Sequence, residues 1–487
     1  MKNFCDEIQN LINSHQEWLL IYVSGKSFSL QNSEIELEFT NNRLLFGFPA
    51  DQGFQTWRVT DFKTKNAEII LNLSRNFEKE HAKIRLVPRI LAHELSDNLE
   101  LARLEKADQI AQIIKESSPK IKLVRVELNK ENGRFAQIIF EDLRKKQTAV
   151  LADVTETLTP EILLSTAILW LAKLSARRKN PIDPIWICSE KKQAKNLQKL
   201  HALLKENWKD RILIKEISGA SERTLQNLPS LQISELWRGK IKEIKASENF
   251  QISETAQIII DFSPTEIDAI FARNGETLRF SGLPFARVRK ISDAEKVWFG
   301  VEKSKQILSE NNFDEMLELI ENLREFRSFN SPNKRHALFQ IAPEAWLESI
   351  LRRNIKLLDA NLVLSPVYHQ FRAERDKIDL LALRKDGRLV IIELKVAADR
   401  EMIFQAADYW RKIERLRRSG DLQKAKLFGD LKISDAPTIC YLVAPTLSFH
   451  RDFDYLKATV SEEIELHRFN LTENWRENLK ILERVQI

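Results

Sequence analysis

The sequence predicts a multidomain α/β protein, and three observations carry that expectation. Residues 1–100 alternate apolar and polar side chains with a period of two. Residues 101–234 interleave strand-like and helix-like runs, and residues 341–487 do so again around a hairpin that carries charges. At 487 residues the chain exceeds what a single core sustains. The expected division is a β-rich domain over 1–100, an α/β domain over 101–234, a mixed α/β connecting region over 235–340 and an α/β sandwich over 341–487.

After a helix over about 1–17, the stretches 18–23, 34–39, 43–48, 56–61, 68–73 and 83–87 read as an antiparallel β unit. Arg58, Lys63, Arg75, Lys79, Arg85 and Arg89 recur there among Phe54, Trp57, Phe62 and Phe77. Such a face suits nucleic acid, or is one solvated side of an ordinary sheet. Further on, the pattern predicts a helix over 101–116, a strand over 122–128 and a hairpin over 135–140 and 149–154. A helix over 160–176, a strand over 184–188, a helix over 191–207 and a strand over 211–217 follow. Between 235 and 340 it predicts strands over 256–262 and 277–280 and an amphipathic helix over 313–326. The polar segment SFNSPNK (328–334) is the best domain boundary.

Composition narrows the classes. The hydrophobic share is 43%, and no apolar run approaches the ~20 residues of a membrane span. The opening MKNFCDEIQNLINSHQEW lacks the apolar region of a signal peptide. Cys5, Cys188 and Cys440 are far apart, which argues against a disulfide framework or zinc finger and fits a reducing cytoplasm. A net charge of +6 over 76 basic and 70 acidic residues permits a polyanionic partner without demonstrating one. Neither GxxxxGK[ST] nor GxGxxG occurs, so no phosphate-binding glycine loop is expected.

The chemistry concentrates after residue 341. A helix over 343–358 leads to an extended segment over 362–367. Strands over 377–383 and 388–395 then turn at Asp386-Gly387, a strong hairpin signal. A helix over 399–418, strands over 438–443 and 465–469 and a terminal helix complete the domain. The hairpin brings Asp379 opposite roughly 393–395, and Glu393 and Lys395 share one face of their strand. That strand is otherwise apolar, so burying both charges is costly unless they are paired or hold a metal. Two carboxylates with nearby carbonyl oxygens suit Mg²⁺ or Mn²⁺. A neighbouring lysine can position water and offset transition-state charge, as phosphodiester hydrolysis requires.

The run IDLLALRKDGRLVIIELK resembles the Asp…Glu-x-Lys signature of the PD-(D/E)XK nuclease superfamily. Glu344 in PEAWLESILRRN resembles the acidic residue of that family's first helix, with Glu348 one turn later as the alternative. Gln405 and Tyr409 in FQAADYW resemble the Gln-x-x-x-Tyr motif of its RecB-like and NucS-like branches. The resemblance implies a restriction-endonuclease-like fold for the C-terminal sandwich and an Mg²⁺- or Mn²⁺-dependent nuclease, with endonuclease action expected. It implies Asp379, Glu393, the main-chain carbonyl of Leu394 and Glu344 as metal ligands. Lys395 would assist the water, and Gln405 and Tyr409 would orient Lys395 or the phosphate. Asp376 is the alternative to Asp379, which sits better inside its strand. His369 reads as structural rather than as a ligand.

Nucleic acid is the expected partner, DNA favoured, with no membrane and with oligomerisation left open. Candidate phosphate contacts are Arg352, Arg353 and Lys356, then Arg372, Arg375 and Lys377, then Arg411, Lys412, Arg415, Arg417 and Arg418. The rival reading is a non-catalytic nucleic-acid- or partner-binding protein that retains a nuclease fold. A third is a scaffold protein whose β domain carries an exposed apolar patch.

The middle domain reads either as a degenerate copy of this unit or as generic strand–helix–strand architecture. Aligning AVLADVT (149–155) on LVIIELK (389–395) sets Asp153 on Glu393 and, without a gap, Trp170 on Trp410. Thr155 then replaces Lys395, Ser165 replaces Gln405 and Leu169 replaces Tyr409. Downstream, Ile187-Cys188 resembles Ile439-Cys440.

Overall fold

A computed structural model describes residues 2–22, 27–40, 43–50, 53–65, 68–75, 80–88, 92–117, 120–128, 134–155, 158–176, 181–218, 224–238, 252–272, 275–291, 294–301, 306–365 and 378–487. The chain divides into two compact units, residues 1–99 with 301–305, and residues 100–300 with 306–487.

The first unit opens with helix α1 (Lys2–Asn13). Its strands are β1 (Glu17–Tyr22), β2 (Ser27–Gln31), β3 (Glu36–Thr40), β4 (Arg43–Ala50), β5 (Gly53–Lys65), β6 (Glu68–Arg75) and β7 (Glu80–Pro88). They form one antiparallel sheet in the order β2-β1-β7-β6-β5-β4-β3. Alternation puts Ile69, Leu71 and Leu73 into its core. The expected strands omit only β2, a five-residue SFSLQ run that is short although it alternates. Trp57 packs in the core with the Arg75 guanidinium 4.2 Å from its ring, and Arg85 pairs with Glu68 at 3.7 Å. These members of the basic-aromatic series therefore have intramolecular partners; Phe77, Lys79 and Arg89 lie outside the described residues.

Helix α2 (Ala92–Ser117) leads to strands β8 (Lys122–Glu127), β9 (Phe135–Glu141) and β10 (Gln147–Asp153). Helix α3 (Pro160–Ser175), strand β11 (Ile185–Glu190), helices α4 (Lys191–His201) and α5 (Glu206–Lys209), and strands β12 (Ile212–Ser218) and β13 (Thr224–Asn227) follow. The sheet runs β8 to β13 in chain order, parallel only at β10–β11 and β11–β12. Residues 107–114 of α2 cover one face, and α3 and α4 cover the other.

Next come helix α6 (Glu254–Asp261), the antiparallel strands β14 (Ile267–Ala272), β15 (Gly275–Phe280), β16 (Leu283–Ile291), β17 (Ala294–Phe299) and β18 (Gln306–Ile307), and helices α7 (Phe313–Phe326) and α8 (Ala337–Gln340). The strand expected over 256–262 is thus a helix. Ser253 caps it, its hydroxyl accepting the Ala256 N–H at 3.3 Å. A short apolar run fits either period, and the cap decides it. The polar segment 328–334 links α7 to α8 inside the second unit rather than parting two units.

The remainder comprises helix α9 (Pro343–Arg353), strands β19 (Leu362–Leu364), β20 (Leu380–Arg384) and β21 (Leu389–Leu394), helices α10 (Met402–Arg418) and α11 (Asp421–Lys424), strand β22 (Ile439–Pro445), helix α12 (Phe453–Lys457), and strands β23 (Glu465–Leu471) and β24 (Ile481–Gln486). Its sheet also runs in chain order, β19 to β24, parallel only at β21–β22 and β22–β23. The expected terminal helix is instead β24, which pairs antiparallel with β23 and satisfies an otherwise open edge. Helix α9 covers one face of this sheet, and α10 and α12 cover the other.

The observed architecture is therefore α/β and multi-sheet, as expected. Ladder register corrects one detail of the internal alignment. Val150 pairs with Trp186 and Val390 with Ile439, so Cys440 matches Ile187 rather than Cys188. Among the described residues no helix is long and apolar enough to cross a membrane.

Candidate active site

Gly387, at φ +84°, closes the β20–β21 hairpin, where a left-handed residue is needed and a Cβ would meet the Lys432 carbonyl. Leu380 pairs with Ile392, so the register carries Asp379 to Glu393. Residues opposite each other in an antiparallel ladder share a face. The Leu394 N–H donates to Asp379 Oδ2 at 3.0 Å, which anchors that carboxylate at the strand end. The Lys395 N–H turns the other way, to the Val443 carbonyl at 3.0 Å. Extended backbone turns both polar groups of a residue to one edge, so the Leu394 carbonyl lies on the Asp379 side.

Glu393 is 3% exposed within a strand buried throughout. Burial raises its pKa well above the carboxylate range, and the nearby Asp379 and Glu344 charges add to this. Lys395 opposes the rise, its ammonium 3.2 Å from Glu393 Oε1 and 3.3 Å from Asp399 Oδ2. Burial disfavours the lysine's charge, but Glu393, Asp399 and Glu344 outweigh it and raise its pKa. Glu393 Oε2 is buried with no hydrogen-bond partner among the described residues. An orphaned carboxylate oxygen beside a second carboxylate is a donor arrangement that a hard cation would satisfy. No group of three or more His, Cys, Asp or Glu side chains forms a ready ligand cluster among the described residues. Side-chain ligation would therefore rest on fewer groups, supplemented by carbonyl oxygen and water.

Glu344 and Glu348 separate clearly. Glu344 lines an open cleft of about 420 Å³ with Ala397, Ala398, Asp399, Arg400, Glu401 and His450. Glu348 is 2% exposed and turned elsewhere, 3.2 Å from Arg279 and 3.6 Å from Arg352. Gln405 and Tyr409 continue the helix face that begins at Glu401, spaced one turn apart. The Gln405 side-chain oxygen is buried without a partner among the described residues. Tyr409 packs against the core with the Lys412 ammonium 5.5 Å from its ring. Asp376 and His369 lie outside the described residues.

Two acidic residues in this site escape motif reading. Asp399 holds Lys395 and accepts the Glu401 N–H at 2.5 Å. Burial and the Asp399 charge push the Glu401 pKa up to about 7, with Glu161 adding to the rise and Lys395 opposing it. Their only sequence signal is the charged run Asp399-Arg400-Glu401 between strand and helix.

The cations of α10 do not form the phosphate-facing row that their sequence suggests. Arg411 and Lys412 bind Asp408 at 2.8 and 2.5 Å, and Arg417 and Arg418 bind Glu414 at 2.6 and 2.8 Å. The Arg415 guanidinium reaches the Arg238 carbonyl at 3.5 Å. Asp408 and Glu414 are buried and need these partners. Arg352 pairs with Glu348, Arg353 is exposed at the end of α9, and Arg372, Arg375 and Lys377 lie outside the described residues.

No family model matches the chain, and comparison with curated proteins finds no match. Among solved structures, the chain is similar to one described as the structure of EndoMS in apo form. The identity is 10% and the TM-score 0.18, over 44% of this chain and 95% of that one. A likeness at that level leaves the chemistry to be argued from the chain's own geometry.

Proposed function

We propose that residues 341–487 form a nuclease domain of restriction-endonuclease-like fold that hydrolyses nucleic-acid phosphodiesters, DNA favoured, with Mg²⁺ or Mn²⁺. The observation that carries this reading is the buried Glu393 in register with half-buried Asp379, with Lys395 3.2 Å from Glu393 and Glu393 Oε2 orphaned. A strand core tolerates such a group poorly unless it serves a ligand.

Asp379, Glu393 and the Leu394 carbonyl would hold the ion, with Glu344 at the cleft wall holding it or its hydration shell. When bound, the ion supplies Lewis acidity to the phosphoryl group and lowers the pKa of water. Lys395 keeps its proton, orients the attacking water and offsets charge on the phosphoryl oxygens. Asp399, 3.3 Å from the ammonium, helps to fix the lysine's position. Gln405, one turn beyond Glu401, would present its amide to Lys395 or the phosphate, with Tyr409 behind it.

The test is divalent-dependent cleavage of single-stranded, duplex and branched DNA and of RNA. Asp379→Ala and Lys395→Ala serve as controls, each shown by thermal unfolding to be folded at the assay temperature. No cleavage of any substrate, or cleavage that survives both substitutions, would overturn the proposal.

A further inference from the structure

We infer that residues 101–238 and 341–487 form an internal dimer of one α/β unit with a chemical centre in only the second, so that the chain opens one strand of a duplex per encounter. The strand count rests on the nuclease reading above; the dimer rests on geometry alone.

The two sheets match strand for strand. Each has six strands in chain order, joined antiparallel, antiparallel, parallel, parallel, antiparallel. The helix after the third strand packs on the third and fourth strands in both, α3 on β10 and β11, and α10 on β21 and β22. Helices α4 and α12 each follow the fourth strand.

Their interface is reciprocal, as a twofold relation demands. Helix α3 meets its counterpart α10. Helix α4 meets α10, and its counterpart α12 meets α3. The segments just after α4 and α12 then meet at a bridge, Leu204 opposite Val460. The Lys205 N–H donates to the Thr459 carbonyl at 2.9 Å, and the Ser461 N–H donates to the Leu203 carbonyl at 2.8 Å. With 203, 204 and 205 matched to 459, 460 and 461, each bond is the twofold image of the other. Apolar side chains from both halves share one continuous core across this plane.

Register then locates the lost centre. Asp153 pairs with Phe135 on β9, as Glu393 aligns with Asp379, so Phe135 stands where Asp379 does. Thr155 stands at the place of Lys395. Asp153 Oδ1 accepts the Thr155 N–H and hydroxyl at 2.8 and 2.9 Å, and Oδ2 accepts the Leu158 N–H at 2.8 Å. The carboxylate that remains organises a turn, and its partner carboxylate has become an apolar ring. Two such units with intact centres would address both strands of a duplex; this pair addresses one.

Supercoiled plasmid with Mg²⁺ or Mn²⁺ and the full chain in excess tests the inference. The expected result is open circle accumulating first, with linear DNA lagging as a second, independent event. Thr155→Val should retain this rate, whereas Lys395→Ala should lower it by about 10²–10³-fold. Linear product formed from the outset, or a loss in Thr155→Val equal to that in Lys395→Ala, would overturn the inference while leaving the nuclease reading intact. No cleavage of the plasmid would overturn the inference, and no cleavage of single-stranded DNA, branched DNA or RNA either would overturn the nuclease reading with it.

Discussion

The Lys395 ammonium lies 3.2 Å from Glu393 Oε1, and the two side chains are only 11% and 4% exposed. A pair this enclosed holds its charges at a desolvation cost, and removing one partner strands the other. Lys395→Ala is expected to lower divalent-dependent cleavage by about 10²–10³-fold, the scale of losing one preorganised electrostatic group. Single-turnover rates check this. A loss confined to KM would assign Lys395 to substrate binding instead.

Glu344 and Glu348 occupy successive turns of one helix yet face different partners. Glu344→Ala is expected to weaken Mn²⁺ binding and cleavage with thermal unfolding unchanged. Glu348→Ala removes a buried partner of Arg279, which keeps Asp268 at 2.7 Å. The expected loss is about 1–3 kcal/mol of stability, the scale of an unsatisfied buried group. Unfolding and calorimetric titration of the two variants should give opposite profiles. A stability loss in Glu344→Ala with Mn²⁺ binding intact would reverse the assignment.

Much of this site was legible because hairpin chemistry is local. Asp386-Gly387 sets the turn, the turn sets the register, and the register delivers Asp379 to Glu393. The split between Glu344 and Glu348 depended on Arg279, 65 or more residues upstream, and no local pattern carries that. The α10 cations misled for a different reason, since their partners Asp408 and Glu414 stand one turn away on the same helix, a local pairing that a reading of the basic residues alone passes over. Helix α6 and strand β24 went wrong where short amphipathic runs fit both periods. In each case a cap or an open sheet edge made the choice. The matching order of the two six-stranded sheets was only hinted at by the Trp170 and Trp410 spacing, because strand pairing is non-local.

Glu401 predicts a pH dependence. Its folded pKa, pushed up to about 7 by burial and Asp399, exceeds the unfolded value of roughly 4.3. Between those values the folded chain binds the extra proton, so stability falls as pH rises through the window. Glu401→Gln removes that slope. Unfolding temperatures from pH 5 to 8 should show the variant gaining on the parent as pH rises. A constant offset across the range would show that Glu401 titrates normally.

Asp153 makes the last prediction, because it occupies the position of Glu393 with the opposite role. It is 2% exposed, and both of its oxygens accept hydrogen bonds within its own turn. Asp153→Ala leaves the Leu158 and Thr155 N–H groups to find new partners, at an expected cost of about 1–3 kcal/mol. Cleavage measured well below the variant's unfolding temperature should stay at the parent rate. Glu393→Gln should do the reverse, abolishing cleavage while relieving a buried carboxylate with one orphaned oxygen. Parallel unfolding and cleavage series on the two variants decide the matter. Cleavage lost in Asp153→Ala while the protein remains folded would mean that the middle unit still takes part in the chemistry.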